Sequence, residues 1–584
     1  MTPATYENLL CAFWDQTKLR PQAPALVRKK NTRWETWTWR ETATRVAQLS
    51  AAFKRAGCVA GDRVAIFADN CPEWVVGDFA CMASGLVSVP LYPSLTESQV
   101  RYIIEHSEAK IAIVRGIDRL KKLLPIKSLE KIIVIDVTPQ SEKTVAFGKF
   151  IERESGDFSL FAAAAPSLNL NGLATIVYTS GTTSEPKGVL LTHGNCIAQS
   201  NMLAKRAARR SDDVLISYLP LSHITERVNV FRQALVGYPL YFSQGLERIL
   251  EEVKELKPTG FVAVPRIWEK LHESALAQIN EAGPIQKRLL EKALEAGTAY
   301  LAELRNGIPQ HKSYLRTVVF QRTFGPWVRH LLGFDRCRLF VSGTAPLDFH
   351  TLAFFYSAGM PMVEAYGMTE CCGACHINHP DHPVFGTVGP VIDGMSFRIA
   401  ADGEILLKGD NVFAGYYKDS EQTSETLRDG WLYTGDIGTV DTHGNLKITD
   451  RKKNIIITSG GKNIAPAPLE ARLRNHPMIN QAVVIGDRRK YLTALLTLAP
   501  NAPANCENQI AQHVDAINIE LPSYETIKMF SILPKDFSVE GGELTPTMKV
   551  RRSFIQEKYK VLVDSMYPPA ELRAEKTARP SVAR

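Results

Sequence analysis

The sequence predicts an α/β fold built from helix-covered β-sheets, and three observations carry that prediction. Short apolar, β-branched runs recur at RVAIFADN (63–70), AKIAIVRG (109–116) and KIIVID (131–136), each followed by polar or turn residues. Helical periodicity around 42–56 and 73–85 separates them, and this βαβ rhythm builds parallel sheets covered by helices. At 584 residues, with 45% hydrophobic and 22% charged content, the chain has the length for two or three domains and the composition to bury a core in each.

In TWTWRETATRVAQLSAAFKRAG (36–57), Thr38 and Glu41 have the spacing of a capping box, so a helix starts there. Trp39, Ala43, Val46, Leu49 and Phe53 then recur at helical spacing, a core face with no chemistry implied. The stretch ATIVYTSGTTSEPKGVLLTHGN (174–195) opens as a buried strand and runs into Thr179, Ser180, Gly181, Thr182 and Thr183. Such a loop can turn several N–H groups and hydroxyls toward one anion, and Lys187 adds a positive charge. The chemistry it suits is holding a polyphosphate; on composition alone most such loops are solvated connections between strands. It is not a GxxxxGK[ST] P-loop, because Gly188 follows the lysine.

Net charge is modest at +8 (69 basic, 61 acidic), which suits anionic substrates or an anionic membrane surface. No dense Lys/Arg stripe points to nucleic acid, and the KRAARR cluster (205–210) reads as a solvated helix face. The first residues lack the basic and apolar regions of a signal peptide, and no run of 18 apolar residues occurs. The ten cysteines have no disulfide-scaffold spacing, so a reducing, cytoplasmic location is expected. Cys372, Cys375 and His376 form a CxxCH string, with Cys371, His379 and His382 nearby. Without an export signal or a second ligand pair, these cysteines read as small buried residues.

The 174–195 string resembles YTSGTTGxPKG, the signature of the adenylate-forming enzymes, which include acyl-CoA synthetases, luciferases and peptide-synthetase adenylation domains. Ser184 replaces the last glycine, a change the loop is expected to tolerate. Further motifs follow in the family's order. LPLSHITER (219–227) puts His223 where the family sets an aromatic or histidine beside the reacting carboxylate, and its wording is closest to long-chain fatty-acyl-CoA synthetases. FVAVPRIWEKL (261–271) is similar to those enzymes too, with Phe261, Val262 and Val264 expected along an acyl tunnel. The largely helical stretch between Lys270 and Arg338 carries Leu290, Leu294, Leu301 and Leu304 as an apolar stripe, read as core packing.

In LFVSGTAPL (339–347), Gly343, Thr344 and Ala345 let a flat base approach the backbone. EAYGMTE (364–370) supplies Ala365, Tyr366, Gly367, Met368 and Thr369 to the nucleotide, with the Tyr366 ring to stack on adenine and Glu370 as a hard ligand for Mg²⁺. WLYTGDIG (431–438) offers Asp436 to the ribose hydroxyls. In ITDRKKNIIITSGGKNIAP (448–466), the resemblance makes Asp450 the hinge and Arg451 a ribose contact, and sets Ser459, Gly460 and Gly461 beside the coenzyme A channel. Lys549, in GGELTPTMKVRRSFI (541–555), holds the position of the catalytic lysine.

The resemblance therefore implies a large N-terminal ATP- and acyl-binding domain (1–449) and a small, mobile α+β C-terminal domain (450–584). It implies a long-chain fatty-acid–CoA ligase that forms acyl-adenylate from a fatty acid and ATP, then transfers the acyl group to coenzyme A. Lys549, His223, Glu370 and Thr182 are the expected catalytic groups, Thr182 and Glu370 the metal ligands, and His223, Val262, Val264 and Gly343 the acyl contacts. A fatty-acyl-AMP ligase serving a carrier protein and a non-catalytic lipid-binding relative are the alternatives. Peripheral membrane contact is expected from the apolar substrate and the positive charge; acyl length and oligomeric state stay open.

Overall fold

The computed structural model describes residues 5–179, 185–305, 310–380, 382–500, 502–503, 505–538, 540–544 and 550–567. Ser180, Gly181, Thr182, Thr183, Ser184 and Lys549, singled out above, lie outside the described residues.

The capping box forms at α1 (Trp39–Arg55), where Thr38 Oγ1 accepts the Glu41 N–H and the Glu41 carboxylate accepts the Thr38 N–H at 2.8 Å. Trp39, Ala43, Val46, Leu49 and Phe53 are all buried on its inner face. The predicted alternation follows as β1 (Arg63–Phe67), α2 (Pro72–Ala83), β2 (Val87–Pro90), β3 (Ala109–Val114), β4 (Lys131–Val134) and β5 (Thr144–Ala146). All these strands pair in parallel, β1 between β2 and β3. Next, β6 (Leu173–Thr179) lies parallel to β2, and β7 (Lys187–Thr192) returns antiparallel with Lys187 opposite Thr179. The hairpin thus fixes Thr179 and Lys187, the two flanks of the Ser/Thr/Gly-rich motif, at one end of the sheet.

Beyond α3 (His193–Arg206) and α4 (Ile224–Val236) comes a second sheet. Its elements are β8 (Gly260–Ala263), helices α5 (Pro265–Ala282) and α6 (Pro284–Arg305), β9 (Leu339–Gly343), α7 (Phe349–Ser357), β10 (Met362–Met368) and β11 (Gly373–Ile377). The order is β8-β9-β10-β11, parallel except for the last pair. Leu290 and Leu301 of α6 are buried, with Leu294 and Leu304 half-buried against the same cluster, as a core role requires. Gly297 lets α6 press onto α7, since a Cβ there would lie 1.9 Å from Ser357 Oγ.

The five-stranded third sheet contains β12 (Glu404–Gly409) and, after β13 (Gly415–Tyr416), β14 (Trp431–Val440) and β15 (Leu446–Arg451). β13 crosses to the first sheet, whose order becomes β13-β7-β6-β2-β1-β3-β4-β5. The C-terminal unit packs α8 (Pro466–Arg474) and α9 (Glu507–Ile519) on β16 (Ile479–Ile485), β17 (Leu492–Leu498) and β18 (Ile527–Leu533), around its own core of Leu473, Val484, Leu496 and Ile510. No helix among the described residues is long and apolar enough to cross a membrane.

Cys371, Cys372 and Cys375 are buried, as read from the sequence. The KRAARR cluster is a correction. Arg206 closes α3 by donating to the Ile377 carbonyl at 2.8 Å, and Arg209 is only 7% exposed. Lys205 and Arg210 are exposed as expected, but the helix ends at Arg206 and Arg209 turns inward against Gly260 of β8, so the cluster is only partly a solvated face.

One polar cluster is fully enclosed. Arg227 and Asp78 both have side chains at 0% exposure. Arg227 Nε donates to Asp78 Oδ2 at 3.0 Å and Nη2 to Asp78 Oδ1; Nη1 reaches Thr175 Oγ1 at 2.6 Å and Nη2 reaches Ser88 Oγ at 2.8 Å. One guanidinium so joins α2, β2, β6 and α4. Removing one partner of such a pair strands a buried charge. Arg227→Met is therefore expected to lower the unfolding free energy by about 3–5 kcal/mol, and adding Asp78→Asn should return part of it. Denaturant unfolding of the two variants checks this.

Candidate active site

A cavity of about 2030 Å³ opens where β9 and β10 end, and the sequence motifs converge on it. Its volume exceeds the ~300–1,000 Å³ of a single small-molecule pocket, so it has room for more than one reactant.

Tyr366, on β10, donates its hydroxyl to Asp436 Oδ2 at 2.7 Å. Asp436, 4% exposed on β14, also holds Arg451 Nε at 3.1 Å through Oδ1. Asp436 and Arg451 face each other across the antiparallel β14/β15 pair, which places both on one wall. A carboxylate has about four lone-pair sites, so Asp436 keeps acceptor capacity for further hydroxyls. Thr344, at the end of β9, has φ 75°, a left-handed conformation that strains a β-branched residue. Strain of this kind collects at ligand sites. Gly367 is needed for close approach, because a Cβ there would lie 1.9 Å from the Gly373 carbonyl oxygen.

The opposite wall carries Lys187, Tyr416 and Glu370. Lys187 Nζ bonds Gln422 Oε1 and sits 5.5 Å from the Tyr416 ring centre. The Tyr416 hydroxyl donates to Glu370 Oε1 at 2.9 Å. Among the described residues the Glu370 carboxylate takes that one hydrogen bond, so lone pairs remain for a hard cation. Mg²⁺ commonly takes one or two carboxylates plus substrate phosphates, and the donor set fits that use. Lys453, which the sequence reading passed over, also faces this space. Burial, then Arg451 and Lys187, holds its ammonium below the usual lysine range, against the pull of Asp436 and Glu370. The signal available was the second lysine of DRKK.

A third part of the cavity is apolar. His223 caps α4, its Nδ1 accepting the Thr225 N–H at 3.2 Å, which leaves the proton of the neutral ring on Nε2. Asn70 pins the turn before it, accepting the Leu221 N–H at 2.9 Å and donating to the Leu219 carbonyl at 2.7 Å. Val262 and Val264 line this part, but Phe261 does not. Strand alternation turns Phe261 into the core, stacked on Tyr218 at 5.4 Å and edge-on to Trp268.

Of the other motif residues, Thr179, Gly343, Ala345, Ala365, Met368 and Thr369 line the cavity. Ser459, Gly460 and Gly461 do not; they form an exposed turn held by Ser459 N–H to the Arg489 carbonyl at 2.9 Å. Asp450 lies within β15 opposite Ile437, and its carboxylate accepts the N–H groups of Arg451 (2.6 Å) and Ala467 (2.9 Å).

The motifs in their order, charged groups from the three sheets gathered on one cavity and a separate small C-terminal unit define an adenylate-forming architecture. The chain belongs to the AMP-binding enzyme family: that family matches residues 13–417, and the AMP-binding enzyme C-terminal domain matches 453–571. The long-chain-fatty-acid–CoA ligase FadD15 of Mycobacterium bovis is 32% identical over 596 residues, spanning 97% of this chain and 98% of its own. The long-chain-fatty-acid–CoA ligase ACSBG2 of Xenopus laevis is 31% identical over 616 residues, spanning 95% of this chain and 83% of its own. The crystal structure of the anthranilate CoA ligase AuaEII in complex with anthranoyl-AMP shares the fold, at TM-score 0.75 and 20% identity, covering 96% of this chain and 99% of that one. O-succinylbenzoate coenzyme A synthetase from Bacillus subtilis, with ATP and magnesium ion, aligns at TM-score 0.69 and 22% identity, over 93% of this chain and 98% of that one.

A hydrogen bond to a charged group contributes about 1.5–3 kcal/mol, so Asp436→Ala is expected to weaken AMP binding by roughly tenfold or more. Calorimetric titration with AMP measures it. Unchanged affinity would take Asp436 out of the nucleotide site.

Proposed function

We propose that this protein activates a long-chain fatty acid with ATP to acyl-adenylate and passes the acyl group to coenzyme A, releasing pyrophosphate and then AMP. The observation that carries this reading is the continuity of one cavity between the Tyr366–Asp436–Arg451 wall and the apolar channel beside His223. Charge suited to a nucleotide and apolar surface suited to an acyl chain meet near Gly343.

In the first step a carboxylate oxygen attacks the α-phosphorus and pyrophosphate leaves. Both reactants are anionic, so cations must gather where they meet. Lys187, Arg451 and Lys453 supply that charge, set against Glu370 and Asp436. Lys549 and Thr182, assigned from their motifs, complete the set. Mg²⁺, held through Glu370 and Thr182, would neutralise phosphate charge. His223, with its proton on Nε2, can donate to a carboxylate oxygen at the mouth of the channel. In the second step the thiol of coenzyme A attacks the acyl carbonyl, AMP leaves, and the thiol proton is released.

The thiol needs access that Lys549 would obstruct, so the C-terminal domain turns about a hinge at Asp450 between the steps. Turning requires Asp450 to release the Ala467 N–H. Asp450→Pro, with φ locked, is expected to spare adenylate formation and slow thioester formation. Lys549→Ala should cut adenylation by about 10²–10³ while leaving synthetic acyl-adenylate usable. Measuring the half-reactions separately tests both residues, and equal loss in either variant would remove that residue's role. The whole reading is tested by coenzyme-A-dependent AMP release across carboxylic acids of increasing length. Purified protein that released AMP with none of them would overturn it.

Membrane contact at the periphery fits helix His311–Thr323, where Leu315 and Val319 are 49% and 57% exposed beside Lys312 and Arg316. Flotation with anionic vesicles is expected, and Leu315→Glu with Val319→Glu should abolish it. Wild-type protein that failed to float would remove membrane contact from the reading.

A further inference from the structure

The far end of the apolar channel is not apolar. Arg209 and Arg232 both line the cavity there, at 7% and 5% exposure. No described residue takes a hydrogen bond from Arg209, and its Nε and that of Arg232 are buried without partners. Arg232 Nη2 alone is used, on the Ala207 carbonyl. The nearest carboxylate, Asp213, is already committed. Its Oδ1 takes Arg338 Nη2 and, at 2.8 Å, the Thr259 hydroxyl, while Oδ2 takes the Arg210 N–H at 2.8 Å. Three guanidinium groups therefore share one anion. Burial and then Arg209 pull Arg232 down to about 10, the mark of a cation lacking a counter-charge.

The placement is built rather than incidental. Arg209 abuts Gly260, where a Cβ would come within 1.8 Å of Nη1, so glycine at this position is what admits the guanidinium. Gly260 pairs with Leu339 at the start of β9, whereas the reaction end lies at Gly343. Four steps of parallel strand span about 13 Å. Along α4, the nine residues from His223 to Arg232 rise about 14 Å, so two elements give the same depth. An extended chain advancing ~1.25 Å per carbon fills that depth with about ten to twelve carbons.

We propose that the far end of this channel binds a second carboxylate, making medium- to long-chain α,ω-dicarboxylic acids the favoured substrates, with Arg209 and Arg232 as the ω-carboxylate site. Guanidinium groups hold carboxylates through paired, charge-assisted hydrogen bonds, and a buried cation gains most from such a partner. A methyl terminus in the same place would leave both charges unpaired. The inference rests on the fatty-acid activation reading for its chemistry, but not for its binding.

Dodecanedioate, its monomethyl ester and dodecanoate separate the cases. Expected for the wild type is a kcat/KM for AMP release about tenfold or more higher with the diacid than with the ester, and a thermal stabilisation by the diacid that the ester does not give. In Arg209→Met and Arg232→Met the diacid-to-dodecanoate ratio, taken within each variant so that general losses cancel, should fall toward one. A wild type that favours dodecanoate or the ester, or is stabilised equally by all three, overturns the proposal and leaves the arginines a structural role. Diacid-selective stabilisation without AMP release from any acid would uphold the site and defeat the activation reading instead.

Discussion

The enclosed Arg227–Asp78 pair is the constraint on which the rest of the molecule depends. Two charges at zero exposure are tolerable only if every hydrogen-bonding site around them is met, and Ser88 and Thr175 complete the set. Their backbones belong to β2 and to β6, the first strand of the β6/β7 hairpin and the neighbour of β2, while Arg227 stands one turn below His223. A shift of α4 along its axis would break several charge-assisted bonds together. The distance between the β6/β7 hairpin and the start of α4 at His223 is therefore set by polar geometry, which is less forgiving than apolar packing.

Around that frame the charges are sorted by position. On the proposed reading cations lie where the nucleotide binds, interleaved with Glu370 and Asp436, and the buried Tyr366 and half-buried Tyr416 hydroxyls hold those carboxylates still. A fixed array of this sort costs little reorganisation when charge develops, the condition under which electrostatics lowers a barrier most. The left-handed Thr344 belongs to the same logic, since it brings backbone close to the cavity at a cost the surrounding sheet absorbs.

Much of this was legible in the sequence because it is local. The Thr38 capping box, the parallel strands of the first sheet and the buried stripe of α6 follow from spacing within one element, and the motifs named Tyr366, Glu370, Asp436 and Arg451 before any of them could be seen to touch. What escaped depends on partners far along the chain. Asp78 and Arg227 are 149 residues apart, and nothing local marks Asp78 as a buried ion. Phe261 looked like channel lining because a short apolar run does not say which face of the strand is which. Arg209 looked solvated because a basic cluster after a helix usually is; the turn beneath β8 is a tertiary event. Lys453 sat in a run of charges where only the fold distinguishes the side chain facing the cavity.

If the cavity works as proposed, its two halves contribute to catalysis differently. Each methylene buried along the channel is worth about 0.8 kcal/mol, but it is equally buried before and during attack on phosphorus. That is uniform binding, which lowers KM without raising kcat. Acyl length should therefore register mainly in KM, whereas the charged wall, meeting charge that exists only during reaction, should register in kcat. A polar group at the far end of the channel adds a term of the first kind with a sharp length dependence, because a carboxylate one carbon short leaves the guanidinium groups unpaired and one carbon long must buckle. A site so distant from phosphorus can select its substrate while taking no part in the chemistry.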